Sequence, residues 1–217
     1  MELLATIIVS FLKLQETIRI NFKKLYYILF KKLFDYAFLK FNGVDTKYGY
    51  VNLIGLPIIQ KNQKSSIKIG PNVTLVSKSM GNIAGINHPV ILSTLRENSF
   101  INIEGPFGAS GSAIIAAIGI TIQANTGLGA NSKVYDTDFH NVNPNDRLKS
   151  WNNLNNSKEI IIGKNVWIGA NCIILKGASI GHNSVIGAGS VLTKVVPDNC
   201  LYAGNPAKKI KDFNYEQ

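Results

Sequence analysis

From residue 162 onward the chain repeats a six-residue pattern: IGKNVW, IGANCI, ILKGAS, IGHNSV, IGAGSV and LTKVVP. The first slot is always aliphatic, at Ile162, Ile168, Ile174, Ile180, Ile186 and Leu192. The fifth is small or β-branched, at Val166, Cys172, Ala178, Ser184, Ser190 and Val196. Glycine follows the aliphatic at Gly163, Gly169, Gly181 and Gly187. Six fits a 3.6-residue helix poorly but holds a whole number of two-residue pleats, so the same slots face inward in every block. A sustained hexapeptide period is the signature of a parallel β-helix. The aliphatic and the small residue are expected to fill its interior, and glycine to ease the bend between flat faces. Three faces make a coil of eighteen residues, which stacks Ile162 on Ile180 and Ile168 on Ile186. No single coil buries its own apolar slots, so the stack is the unit of stability.

Upstream, the pattern continues as IQANTG, LGANSK and VYDTDF, led by Ile122, Leu128 and Val134, with a fainter trace at residues 67–76. Between Val134 and Ile162 the phase slips, across the polar, asparagine-rich stretch NVNPNDRLKSWNNLNNSK at 141–158. This reads as a loop pushed out of one corner of the coil, and long loops in compact domains tend to carry function. The first 45 residues differ: they are rich in helix formers, aromatics and paired lysines. They are expected to form one or two helices that cap the solenoid and cover its open strand edge. The alternative is a basic amphipathic segment on an anionic membrane face; apolar residues on more than one side favour packing between chains. The expected organisation is a helical segment at 1–45, a coil at 46–205 with a protruding loop at 141–158, and a basic tail at 206–217.

With 46% hydrophobic and 17% charged residues, the 217-residue chain has a globular composition and not a disordered one. A formal charge of +10 calls for an anionic partner: nucleic acid, a membrane surface or a phosphorylated small molecule. Cys172 and Cys200 make no disulfide framework and stand in no metal-ligand spacing. The apolar run LLATIIVSFL is too short to span a bilayer and lacks the basic leader and cleavage site of a signal peptide. Cytoplasmic residence is therefore expected, with peripheral contact at the inner membrane face through the N-terminal segment as an extension of that reading.

The segments DTDFH, VWIGAN, IGAGSV and AGNPAK, within residues 122–211, resemble the hexapeptide-repeat acyltransferases of left-handed β-helix fold. The similarity is to the branch of sugar and surface-polysaccharide O-acetyltransferases. It implies an all-β solenoid of left hand, a homotrimer, and acetyl-CoA bound as donor in a groove between neighbouring coils, with no metal required. It also implies that His140, which closes DTDFH, is the general base that takes the acceptor hydroxyl proton; a histidine of ordinary pKa, about 6.5, is mostly neutral at pH 7 and fit for this. Asp138, and less so Asp136, are candidates to orient the imidazole, sharing its side of the strand by alternation; the alternative is that they satisfy turn amides. Ser110 in FGASGS stands where sugar acetyltransferases often carry an asparagine that helps bind acceptor and oxyanion. A serine hydroxyl donates one hydrogen bond but reaches less far. His88 in the Asn-His-Pro turn is a candidate acceptor contact, and His182 falls in a solvent-facing slot with no expected role.

On the cofactor side, the resemblance implies that Trp167 borders the acetyl-CoA tunnel and that Ala170 and Ala188 admit the pantetheine arm. It implies cofactor contacts at Thr193 and Lys194, and phosphate contacts at Lys208 and Lys211, where a cation is most effective. Alternatives are a streptogramin-type drug acetyltransferase and a non-catalytic β-helical scaffold. A zinc carbonic anhydrase would need a histidine triad, and His88, His140 and His182 occupy unrelated motifs. Serine acetyltransferases carry a much longer helical N-terminal domain. No interleaved basic and aromatic platform beyond the N-terminal segment supports nucleic-acid binding. The acceptor sugar is not written in the residues, since fold does not fix substrate.

Overall fold

The computed structural model describes residues 2–46, 49–150 and 153–213, with side chains from residue 17 onward. Residues 151–152 of the protruding loop and 214–217 of the tail lie outside the described residues. Short strands follow one another into three parallel sheets. The first runs from Val44–Thr46 to Val195–Val196, the second from Val51–Ile54 to Cys200–Ala203, and the third from Ile58–Lys61 to Val191–Leu192. Successive strands belong to successive sheets, so the chain winds round a triangular solenoid. The fold is a left-handed parallel β-helix, an exception to the right-handed crossover rule.

The expected register holds. Ile162 pairs with Ile180 and Ile168 with Ile186. Every first-slot and fifth-slot residue from Ile162 to Val196 is buried. The coil also reaches further upstream than its visible period: Val44, Ile67, Ile101, Ile120 and Ile160 form one buried column. Interior hydroxyls stitch coil to coil, as buried polar groups must be satisfied. Ser132 Oγ donates to the Gly169 carbonyl at 2.8 Å and accepts from Cys172 N–H at 3.2 Å.

The bends are made differently from the expectation. None of Gly163, Gly169, Gly181 and Gly187 has a left-handed φ. The left-handed residue is in the fourth slot: Asn165, Asn171, Gly177, Asn183 and Gly189, with φ between 55° and 73°. Asparagine tolerates this conformation better than other side chains, and here its amide also links coils. Asn165 Nδ2 donates to Asn183 Oδ1 at 3.0 Å, and Asn183 Nδ2 to Asn199 Oδ1 at 2.9 Å. The second-slot glycines serve close approach: a Cβ at Gly169 would lie 2.5 Å from the backbone nitrogen of Ala188.

The N-terminal segment is one continuous helix, α1, Glu2–Phe41. Its last turns dock on the first coils, with Leu39 and Asp35 buried. Asp35 Oδ2 accepts from Lys31 Nζ at 2.5 Å, Tyr50 OH at 2.9 Å and Leu53 N–H at 3.2 Å. Lys31 also reaches the Leu53 carbonyl at 2.9 Å. The helix thus caps the coil with its end only, and most of the side-chain-described part is exposed. At the opposite end the tail forms a strand, Lys208–Asp212, antiparallel to Cys200–Ala203. It covers the last parallel edge of the second sheet, an edge that would otherwise template pairing.

Among the described residues, two long loops leave the coil. The expected one follows Lys133–Tyr135: Ile174 pairs with Leu192, eighteen positions on, but Val134 pairs with Ile174, forty positions on. It contains a short helix, α2, Pro144–Lys149, where Asn143 Oδ1 accepts from Asn145 N–H at 2.9 Å and proline takes the first turn. The second, at residues 77–90, was hidden in sequence apart from its Asn-His-Pro turn. The neck of the first loop is closed by an antiparallel bridge between Thr137 and Ser157 and by Asp136. That carboxylate, fully buried, accepts from the amides of Ala117 (2.6 Å), Ile118 (2.7 Å) and Gly119 (2.8 Å). Burial pushes the Asp136 carboxyl above its ordinary pKa, and the three amides oppose the rise. Asp136 is therefore a turn-amide acceptor and not an orienter of His140.

Gly169→Ala is expected to destabilise the coil by about 1–3 kcal/mol through overpacking against the next backbone. Gly108→Ala, whose methyl meets nothing within 4 Å, should stay within about 0.5 kcal/mol of the wild type. Asp136→Ala orphans three amides and should lose on the order of 3 kcal/mol or more. Denaturant midpoints of the three variants measure these differences.

Candidate active site

The residues of interest gather on two edges of the solenoid. The first group lies on the outer face of the second sheet. There Gly127 is paired with Gly108 on one side and Trp167 on the other. Two glycines in one outward column leave bare backbone, and the indole of Trp167 folds over it: a Cβ at Gly127 would meet ring carbons at 2.8 and 2.9 Å. Trp167 stays 54% exposed. The result is a groove of about 400 Å³ lined by Ser110, Leu128, Trp167 and Ala170, with Asn82 and Ala84 of the 77–90 loop at its rim. Ala188 occupies the same edge one coil beyond Ala170, in the ladder where Gly189 N–H donates to the Ala170 carbonyl at 2.8 Å.

His88 belongs to that rim loop. Its Nδ1 lies 2.8 Å from the Pro89 carbonyl, so the protonated nitrogen donates there. Asn131 pins the loop to the coil, accepting from Asn87 N–H at 2.8 Å and donating to the Gly85 carbonyl at 3.1 Å. His88 lines a smaller cavity with Ser77, Ser79 and Ile86, and not the Trp167 groove.

The second group lies where the third sheet turns toward the first. His140 is exposed at the neck of the protruding loop. It follows Phe139, whose φ of +63° is a left-handed conformation that a bulky side chain adopts only under constraint. The Phe139 ring packs edge-on to Tyr135, centroids 5.3 Å apart, and the Phe139 carbonyl accepts from Asn153 N–H at 3.2 Å. Beside His140 is a cavity of about 360 Å³ lined by Leu95, Phe139 and Leu154. Arg96 braces its far wall, Nη1 reaching the Leu154 carbonyl at 3.5 Å.

Asp138 ion-pairs with Lys176 and accepts from Asn156 Nδ2 at 2.8 Å. Its carbonyl accepts from His140 N–H at 2.7 Å. The carboxylate therefore ties the neck to the next coil along the same edge, where Thr193 and Lys194 stand exposed one coil further. Lys208 and Lys211 project from the antiparallel end strand, and the Lys211 ammonium lies 5.5 Å from the Phe213 ring centroid. His182 Nδ1 accepts from Lys164 N–H at 2.9 Å, a coil-to-coil link that fits its lack of expected role. Burial raises the pKa of both thiols, Cys172 and Cys200, keeping them protonated.

One chain thus unites Ser110, Trp167 and Ala170 and places His140 elsewhere. Lys176, Asn156 and Arg96 were not found in sequence, because their partners are 18 to 58 positions away. A wider polar depression of about 1060 Å³, near Lys64, Lys68 and Asn102 on the first sheet, contains none of the expected residues.

Residues 159–194 match the family model described as hexapeptide repeat of succinyl-transferase. The galactoside O-acetyltransferase of Lactococcus lactis subsp. lactis (strain IL1403) is 35% identical over 144 residues, 58% of this chain and 67% of that protein. A putative lipopolysaccharide biosynthesis O-acetyl transferase of Escherichia coli (strain K12) is 45% identical over 60 residues, 28% of this chain and 31% of that one. Among solved structures, a hexapeptide-repeat-containing acetyltransferase from Vibrio cholerae O1 biovar eltor, complexed with acetyl coenzyme A, superposes with a TM-score of 0.50 at 25% identity. That superposition covers 58% of this chain and 66% of the other. With the repeat in register, the coil closed on three sheets and a relative aligned over two thirds of its length, this chain belongs to the hexapeptide-repeat acyltransferase family.

Proposed function

We propose that the protein is an acetyl-CoA-dependent O-acetyltransferase that acts on a sugar hydroxyl of a cell-surface polysaccharide or its precursor, with His140 as general base. The observation that carries this reading is the placement of His140: at a braced loop neck, after a left-handed phenylalanine, beside a cavity. The relatives support the class of acceptor, one being named for galactosides and one for lipopolysaccharide biosynthesis. The acetyl-CoA complex of the Vibrio protein supports the donor.

In this mechanism a neutral imidazole nitrogen of His140 takes the acceptor hydroxyl proton as its oxygen attacks the thioester carbonyl. The tetrahedral oxyanion collapses to the acetyl ester, and the departing CoA sulfur takes the proton from the imidazolium. Asp138, held by Lys176, fixes the neck and hence the ring; its role is positioning. Ser110 and Trp167 line a different edge from His140, so the complete site is formed by two copies, the Trp167 groove of one facing the His140 edge of the next. That arrangement suits a homotrimer. Ser110 then donates to the oxyanion or acceptor, Trp167 and Ala170 with Ala188 flank the pantetheine arm, and Thr193 and Lys194 contact the cofactor. Lys208 and Lys211 meet the phosphates, and His88 contributes at the acceptor rim.

His140→Ala is expected to lower turnover by about 10²–10⁴-fold while acetyl-CoA binding persists. Near-normal turnover would remove the base assignment. Calorimetry with acetyl-CoA should give about one site per chain, with weaker binding of dephospho-CoA and the same loss on Lys208→Ala with Lys211→Ala. Absence of heat up to about 1 mM ligand, a limit of roughly 4 kcal/mol of binding, would overturn the donor site.

A further inference from the structure

The corner at which the third sheet turns into the first carries more than His140. Coil after coil, it is built by residues 62–65, 95–99 and 117–118, and then by the loop neck that leads to His140. One hydrogen-bond ladder joins these turns. Asn98 N–H donates to the Lys64 carbonyl at 3.0 Å, Ser66 N–H to that of Ser99 at 3.1 Å and Phe100 N–H to that of Ile118 at 3.0 Å. Ile118 N–H in turn donates to Asp136 at the root of the neck. The wide depression of about 1060 Å³ opens along this edge onto the outer face of the first sheet. The turn 95–99 serves both cavities: Leu95 lines the one beside His140, and Asn98 lines the depression.

Ser66, Lys68, Phe100 and Asn102 point outward there, by alternation with the buried Ile67 and Ile101. Phe100 lies over Gly119 of the next coil, where a Cβ would meet its ring carbons at 2.4 Å. Among the described residues, the side chains of Ser66, Asn98 and Asn102 make no hydrogen bond. Most charges of the lining are neutralised: Lys64 pairs with Glu97 at 3.0 Å and Asp45 with Lys40 at 3.4 Å. Lys68 has no such partner among the described residues.

We propose that this depression is a glycan-binding subsite, which holds neighbouring units of a chain acceptor while His140 acts on one of them. The inference rests on the acetyltransferase reading above. Free amides and hydroxyls beside an aromatic ring are the groups that meet a sugar's hydroxyls and its C–H face. A phosphate ligand calls for converging cations, and Lys68 is a single one. A protein interface calls for an apolar core, and this lining is polar. At about 4.8 Å per coil, the neck stands two coils beyond Asn98 and three beyond Lys64, roughly 10–15 Å, the length of about two or three linked sugar rings. The volume reaches the top of the range for single small molecules, about 300–1,000 Å³, which suits a segment of chain. Lys68 favours an acidic sugar among its units.

The test compares tetragalacturonate, a chain of acidic sugars, with the galacturonate monomer, by saturation-transfer NMR on the full chain without donor. Tetragalacturonate should bind at least about tenfold more tightly than the monomer. Lys68→Ala and Asn102→Ala, both at outward positions, should each weaken it by about fivefold or more. Lys164→Ala removes the same charge at an exposed position elsewhere and should change it by less than about twofold. Calorimetry with acetyl-CoA checks that each variant is folded. Equal affinity for tetramer and monomer, or no saturation by about 10 mM, would overturn the proposal. So would equal losses from Lys68→Ala and Lys164→Ala, since the net charge of +10 would then be the attraction. The readout is binding and not turnover. A chain that binds acetyl-CoA but not tetragalacturonate loses the subsite alone, and one that binds tetragalacturonate but no acetyl-CoA loses the catalytic reading alone.

Discussion

Adjacent strands of a sheet lie about 4.8 Å apart, and in this solenoid that spacing is enforced between every coil and the next. It is why a side chain cannot be admitted at Gly169, beneath the Ala188 nitrogen, or at Gly129, beneath that of Ala170. It is why asparagine amides at the corners reach from coil to coil, and why Ser132 and Thr126 bond two coils at once. Once the spacing is set, each slot of the repeat has a fixed position on a face or an edge. The Trp167 groove inherits its shape from that backbone, while the His140 neck adds side-chain braces from Arg96, Asn156 and Lys176.

The same spacing explains what the sequence disclosed. Ile162 over Ile180 was legible because successive coils there contain the same number of residues. The column through Val44, Ile67 and Ile101 was not, because insertions at 77–90 and elsewhere change the step from coil to coil. The end strand Lys208–Asp212 was hidden because all five of its residues are exposed and show no alternation. The role of glycine was misplaced because two requirements, a left-handed corner and close backbone approach, both favour that residue. Only the backbone angles separate them.

At the site, local motifs were more informative than pairwise contacts. Trp167, singled out by the resemblance, is folded over bare backbone at Gly127 in the structure. Asp136 shared a side of the strand with Asp138 by alternation, yet one carboxylate turns inward to three amides and the other outward to Lys176 and Asn156. Nothing in DTDF distinguishes them; the difference arises from Ala117, Ile118 and Gly119, seventeen or more positions earlier. The division of the site between two edges was equally invisible, because sequence proximity of motifs says little about which face they occupy.

The closed neck of the protruding loop has a further consequence. Between Thr137 and Ser157 the chain departs from and returns to the coil through one bridge, with Asp136 fastening its root to the coil before. Arg96 and Lys176, from coils on either side, also grip the loop, at the Leu154 carbonyl and the Asn156 carbonyl. The loop is thus a strap buckled to several coils, and a change in its length would shift the wall of the cavity beside His140.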